Sequence, residues 1–327
     1  MRDPVGPVTD AHLHLWNLHQ SSYAWLASAP EALRRTGEWS MVRDGLAALG
    51  VDRVILVQAD DAPEDTIHLQ RTARAIEAEG TGGSAHSDGH SAATAEIAGV
   101  TAGAGVTADV VGWLPLEDPD AVESALADPA ATDHLVGVRH LVHDEVDPGF
   151  LERPAVGRSL ELLAAAGLPL DVPDAYPRHM EQVIRLAEAH PELTLVLDHL
   201  GKPPLGDDGQ MGIWRAALAR IAAAPRTVAK LSGLTTSGNG EFAPAVAAAL
   251  ELFGPSRLMV GSDWPIAPSA FTLEGFSPLL AHVRETLAGD DEVLGQVLSG
   301  TAARVYASAA PAGWEVTPRR GDEQRAC

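Results

Sequence analysis

Two histidines stand two residues apart in VTDAHLHLW, from Val8 to Trp16. A strand sends residues i and i+2 to one face, so a strand here sets His12 and His14 side by side. At a strand's C-terminal end, such a pair is half of a catalytic site. Alone it favours a plainer reading, a satisfied pair of core or surface histidines, because His-x-His is common by chance. The other polar residues decide between the two.

Those residues gather at the ends of apolar runs. LVGVRHLV carries Arg139 and His140, and LPLDVP carries Asp171. LTLVLDHLG runs on into Lys202, with Asp198 and His199 before it. RTVAKLSG holds Lys230 and Ser232, and RLMVGSDWP ends with Asp263 beside Trp264. One Asp or His at a strand end is often structural, through a buried hydrogen bond or a cap. Such residues at six of eight strand ends point to one concave polar site. Asp198 neighbours His199 and is expected to face the other way, in a structural role. Lys230 reads as a pocket cation or as a buried structural partner.

The elements that must position these groups are legible as a rhythm. Eight short apolar runs recur: the five above, VTDAHLH, RVILVQA from Arg53 and DVVGWLPL from Asp109. Several are apolar nearly throughout, as strands buried on both faces should be. Helical patterns alternate with them. DPDAVESALAD places Asp118 and Pro119 where an N-cap and first helical residue belong, and RSLELLAAAG stops at Gly167. Eight strands alternating with about eight helices predict a single-domain (β/α)8 TIM barrel over residues 1–308. A doubly wound open sheet is the alternative, but no Gly-rich phosphate loop follows the first strand. Residues 80–108, rich in small residues and containing His86 and His90, are expected to form an extended flexible loop. Residues 309–327, polar and without an apolar period, are expected to be a disordered tail.

Composition narrows the function. The 327 residues are 46% hydrophobic and 21% charged, with a formal net charge of −22. An acidic chain repels phosphate backbones, which argues against nucleic acid and anionic membranes as partners. No apolar run is long enough to span a membrane, and the N-terminus lacks an apolar signal core. The one cysteine is Cys327, so neither an internal disulfide nor a cysteine metal site is expected. A cytoplasmic location fits, and a homo-oligomer is left open.

Five motifs occur in order: DAHLHLW, GVRHLV, LDHLGKPP, KLSGL and GSDWPI. Together they resemble the lactonase-type branch of the amidohydrolase superfamily, the amidohydrolase-2 family. That branch includes fuconolactonases, rhamnonolactonases and 2-pyrone-4,6-dicarboxylate lactonase. The resemblance runs from about Thr9 to Tyr306. It implies that Asp263 is the general base for an attacking water, with His12, His14 and His199 polarising the carbonyl. It places Arg139 at the substrate. Lys202, Asp171 and Trp264 are taken as further substrate-binding residues.

The chemistry agrees. Opening a lactone needs a nucleophilic water and an electrophilic carbonyl. A carboxylate can take the water's proton, and imidazoles or a metal can stabilise the oxyanion. No G-x-S-x-G elbow is present for a serine mechanism. His12, His14, His199 and Asp263 could hold one divalent ion, zinc or manganese. Many amidohydrolases carry a second metal through groups on strands four and five. Here those strands offer Arg139, which cannot ligate a metal, and Asp171. One ion or none is therefore expected, with metal-free catalysis slightly preferred. The substrate is expected to be a small lactone, with a sugar-acid lactone favoured. The alternative is a metal-dependent decarboxylase or amide hydrolase of the same superfamily.

Overall fold

A computed structural model of the protein describes residues 6–81 and 105–307. Eight parallel strands form one sheet in sequence order: β1 Val8–Leu13, β2 Val51–Val57, β3 Thr107–Gly112, β4 Leu135–Arg139, β5 Leu170–Val172, β6 Leu195–Leu197, β7 Thr227–Leu231 and β8 Leu258–Val260. The sheet closes just past the ends of β8 and β1. Asp263 N donates to His12 O at 2.8 Å, and His14 N donates to Trp264 O at 2.8 Å. This is the (β/α)8 barrel that the rhythm of apolar runs predicts.

Helices cover the outside: α1 Arg43–Ala48, α2 Pro63–Thr81, α3 Pro119–Ala127, α4 Pro154–Ala166, α5 Met180–Ala189, α6 Asp208–Ala223, α7 Ala243–Phe253 and α8 Phe276–Thr286. The predicted punctuation operates. The Asp118 side chain caps α3 by accepting from Ala121 N, and Gly167 ends α4 in the left-handed region at φ 72°. None of these helices is long and apolar enough to cross a membrane.

Two short helices, α9 Asp291–Gly295 and α10 Thr301–Val305, end the described chain. Ala302, Val305 and Tyr306 join Ala11, Ile55, Val57, Val111, Val136, Val196, Val228 and Met259 in one buried cluster drawn from seven of the eight strands. The cluster fills the barrel interior and leaves the strands' C-terminal ends for polar groups.

The stretch expected to be an extended loop is partly regular. Residues 80 and 81 belong to α2, and β3 starts at Thr107. Residues 82–104, with His86 and His90, and the expected tail at 309–327 lie outside the described residues.

Candidate active site

Several backbones at the mouth are held in the left-handed region: Asp174 (φ 44°), His199 (54°), Leu200 (54°), Lys202 (62°) and Asp263 (58°). That conformation costs a non-glycine residue about 1–2 kcal/mol, so its concentration at the ends of three strands marks a site. It also changes who faces whom. A regular strand sends Asp198 and His199 to opposite faces. The turn at His199 breaks the alternation after β6, and both side chains enter the barrel. Asp198 therefore does not point away, as period-two counting implies.

Gly233 and Gly261 make room. A Cβ on Gly233 would sit 2.5 Å from Asp263 Oδ2 and 2.7 Å from His199 Nδ1. One on Gly261 would meet His12 Cβ at 2.6 Å.

Asp263 is the hub. Its Oδ1 lies 3.7 Å from His12 Nε2, 3.5 Å from His14 Nε2 and 3.6 Å from His199 Nε2. Its Oδ2 is buried without a hydrogen-bond partner. Hydrogen bonds behind the rings set the imidazole tautomers. His14 Nδ1 is 2.8 Å from Val57 O, a carbonyl that only accepts, so Nδ1 carries the proton and Nε2 keeps its lone pair. That limits the expected carbonyl-polarising role of His14, which by itself can accept or ligate through Nε2 but not donate. His199 Nδ1 is 2.8 Å from Ser232 Oγ. A hydroxyl can donate, so His199 can carry its proton on Nε2, toward Asp263 and the cavity. Burial holds His12 and His199 well below the usual histidine pKa, so both are neutral at pH 7.

Beneath His12 lies a charged layer. Lys230 follows Val228 by two residues in β7 and so shares its inward face. Its Nζ is 2.6 Å from Asp171 Oδ2, 3.0 Å from Asp198 Oδ1 and 3.2 Å from His12 Nδ1. Tyr306 OH donates to Asp171 Oδ2 at 2.7 Å. Arg139 Nη1 contacts Asp198 Oδ2 at 3.2 Å and His12 Nε2 at 3.1 Å. Burial raises Asp198 and its cationic neighbours, Lys230 first, outweigh it, holding the carboxyl well below the usual range. Asp171 is pushed up to about 6 by burial, against the pull of Lys230. Two carboxylates and two cations compensate one another, which is what lets them be buried.

A cavity of about 170 Å³ opens above this layer. It is lined by His14, Arg139, His199, Lys202 and Asp263, with Trp25, Ala59, Leu141, His143, Asp174 and Ile266. Of the residues expected at the site, His12 lies just below it, fully buried against the lining groups. Two do not reach it. Asp171 is held in the barrel by Lys230 and Tyr306, and Trp264 is buried edge-on against Phe271. Sequence reasoning missed Trp25, His143 and Asp174. These sit on loops without a motif, and only their places after β1, β4 and β5 signal them.

The residues fit one divalent ion. His12, His14 and Asp263 offer ligand atoms within 4.8 Å of one another. The Nε2 atoms of His12 and His14 are 3.0 Å apart, close enough for both to turn toward one ion. Asp263 is the one carboxylate of the cluster that no lysine or arginine contacts within the described residues. Arg139 Nη1, 3.1 Å from His12 Nε2, stands at the end of β4 and cannot itself ligate a metal.

The comparisons with known proteins span the barrel. A family model described as Amidohydrolase matches residues 9–307. The chain is 30% identical over 318 residues to an L-fucono-1,5-lactonase of Burkholderia multivorans, covering 93% of this chain and 97% of that protein. It is 28% identical over 314 residues to an L-fucono-1,5-lactonase of Burkholderia ambifaria, with the same coverage, 93% and 97%. The crystal structure of a zinc-bound amidohydrolase from Burkholderia multivorans superposes with a TM-score of 0.75 at 29% identity, over 92% of this chain and 99% of that one. With the match spanning every strand of the barrel and the whole polar mouth, the chain belongs to the amidohydrolase family and is a hydrolase.

Proposed function

We propose that the protein opens the ring of a sugar-acid lactone, in the class of L-fucono-1,5-lactone. The observation that carries this reading is the Asp263 carboxylate. It lines the cavity with one oxygen unpartnered and the other facing three imidazole nitrogens. The names of the two lactonase relatives support the substrate class and favour ring opening over the decarboxylase or amide-hydrolase alternative.

Asp263 takes a proton from water as the water's oxygen bonds to the lactone carbonyl. His199, with its proton on Nε2, and the Arg139 guanidinium, which lines the cavity, donate to the oxygen that becomes negative. As the ring C–O bond breaks, the proton held by Asp263 passes to the ring oxygen, which leaves as a hydroxyl of the open-chain acid. His12 is held by Asp198 and Lys230 and buttresses the other two imidazoles. A divalent ion held by His12, His14 and Asp263 would supply Lewis acidity at the same place.

The test is hydrolysis of sugar γ- and δ-lactones, followed with a pH indicator. Wild-type and Asp263→Asn protein are compared, with and without prior chelation. Turnover by wild type, reduced at least about 100-fold in the variant, is expected. Turnover of no lactone, with or without added Zn²⁺ or Mn²⁺, would overturn the reading.

A further inference from the structure

Beyond the catalytic groups and Arg139, three polar side chains line the cavity: His143, Asp174 and Lys202. The Asp174 carboxylate is half-buried and makes no hydrogen bond or salt bridge among the described residues. Burial lowers the His143 pKa and the nearby Asp174 charge opposes it; the buried His143 Nδ1 also lacks a partner. Lys202 Nζ donates to Thr236 Oγ1 at 2.9 Å and Gly233 O at 3.4 Å, both neutral, and has no carboxylate partner among the described residues.

An ionised carboxylate only accepts hydrogen bonds, and an ammonium only donates them. A hydroxyl is the substrate group that satisfies both. A ring carrying several hydroxyls can donate to Asp174 and accept from Lys202 at once. A ring carboxylate can satisfy Lys202, but it sets like charges together in a cavity that already holds Asp174 and Asp263. The backbone at Asp174 points the same way. It sits at φ 44°, in a conformation that disfavours side chains, on the loop that follows β5.

We infer that Asp174 is a specificity-determining residue, accepting hydrogen bonds from ring hydroxyls and selecting neutral polyhydroxylated lactones over carboxylated ones. The inference rests on the lactonase reading.

The experiment measures kcat/KM of wild type, Asp174→Gly and Asp174→Asn. The substrates are L-fucono-1,5-lactone, unsubstituted δ-valerolactone and a lactone bearing a ring carboxylate. Glycine removes the carboxylate without forcing a Cβ into the left-handed region. Asparagine keeps the shape and removes the charge. In Asp174→Gly, the preference for the hydroxylated over the unsubstituted lactone is expected to fall by about 10-fold or more. Asp174→Asn is expected to raise the relative rate on the carboxylated lactone. Should both variants keep the wild-type preferences within about 3-fold, the Asp174 assignment falls and the lactonase reading stands. Should wild type open none of the three, the lactonase reading falls and takes the assignment with it.

Discussion

Lys230 and Asp171, 59 residues apart in the chain, meet at 2.6 Å in the interior of the barrel, both side chains fully buried. The same ammonium reaches Asp198 and His12, so a buried ion pair and the polar mouth share one cation. Replacing Lys230 by Met strands two buried carboxylates. Losing one side of such a pair costs about 3–5 kcal/mol. Denaturant unfolding of Lys230→Met is expected to show a loss of that size. Adding Asp171→Asn is expected to recover part of it, since a neutral amide needs no counter-charge. A Lys230→Met protein within about 1 kcal/mol of wild type would mean that the carboxylates find other partners.

Gly233 separates stability from catalysis. A Cβ there strikes the Asp263 carboxylate and the His199 ring, and the φ of 56° adds strain. The strain is worth about 1–2 kcal/mol. Displacing reacting groups by about 1 Å can cost about 100-fold in rate. Gly233→Ala is therefore expected to melt only modestly below wild type and to lose most of its kcat. Unfolding curves and lactone kinetics on one preparation check this. Near-wild-type kcat would show that Asp263 and His199 tolerate a shift of that size.

How far the sequence carries is visible in particular residues. The strands are legible because two-sided burial makes each an apolar run, and period two pairs His12 with His14. Period two sends Asp198 outward, and the left-handed turn at His199 that brings it inward has no local signature beyond the Gly201 that follows. Strand-end position alone does not distinguish the mouth from the layer below, where Asp171 lies. The lysine inside the apolar TVAKL of β7 reads equally as a pocket cation or a buried partner, and only the fold places it on Asp171. Tyr306 reaches Asp171 across 135 residues, a contact only the closed barrel creates. His143 and Asp174 lie on loops, where chemistry carries no periodicity.

Asp10 ties the seam of the barrel. Its Oδ1 accepts from His12 N at 3.1 Å and Ser262 N at 2.8 Å, while Oδ2 has no partner. Burial pushes its pKa up to about 6, against hydrogen bonds from Ser262 and His12. A raised folded-state pKa means the native protein holds this proton more tightly than the unfolded chain. The associated stability is complete below the unfolded value near 4 and is lost as pH rises through about 6. Asp10→Asn keeps the acceptor and removes the titration. The stability of Asp10→Asn relative to wild type is expected to rise between pH 4 and pH 7, by about 1–3 kcal/mol. Parallel stability–pH curves for the two proteins would show that Asp10 does not titrate in this window.

Metal occupancy can be read without activity. His14 Nε2 and Asp263 Oδ1 are 3.5 Å apart, and Val57 O fixes the His14 lone pair toward the carboxylate. An ion bound only by the folded state raises stability by RT ln(1 + [L]/Kd), about 2.7 kcal/mol at one hundred times Kd. Zn²⁺ or Mn²⁺ added to chelator-treated wild type is therefore expected to raise the melting temperature in a saturable way. His14→Ala removes one ligand and Asp263→Asn removes the charge, and each should abolish the shift. Asp171→Asn, one layer below, is expected to retain it, since Asp171 faces Lys230 and Tyr306 rather than the imidazoles. A melting temperature indifferent to both metals would mean that His12, His14 and Asp263 do not hold either ion. A shift that survives both His14→Ala and Asp263→Asn would place the ion elsewhere on this acidic chain.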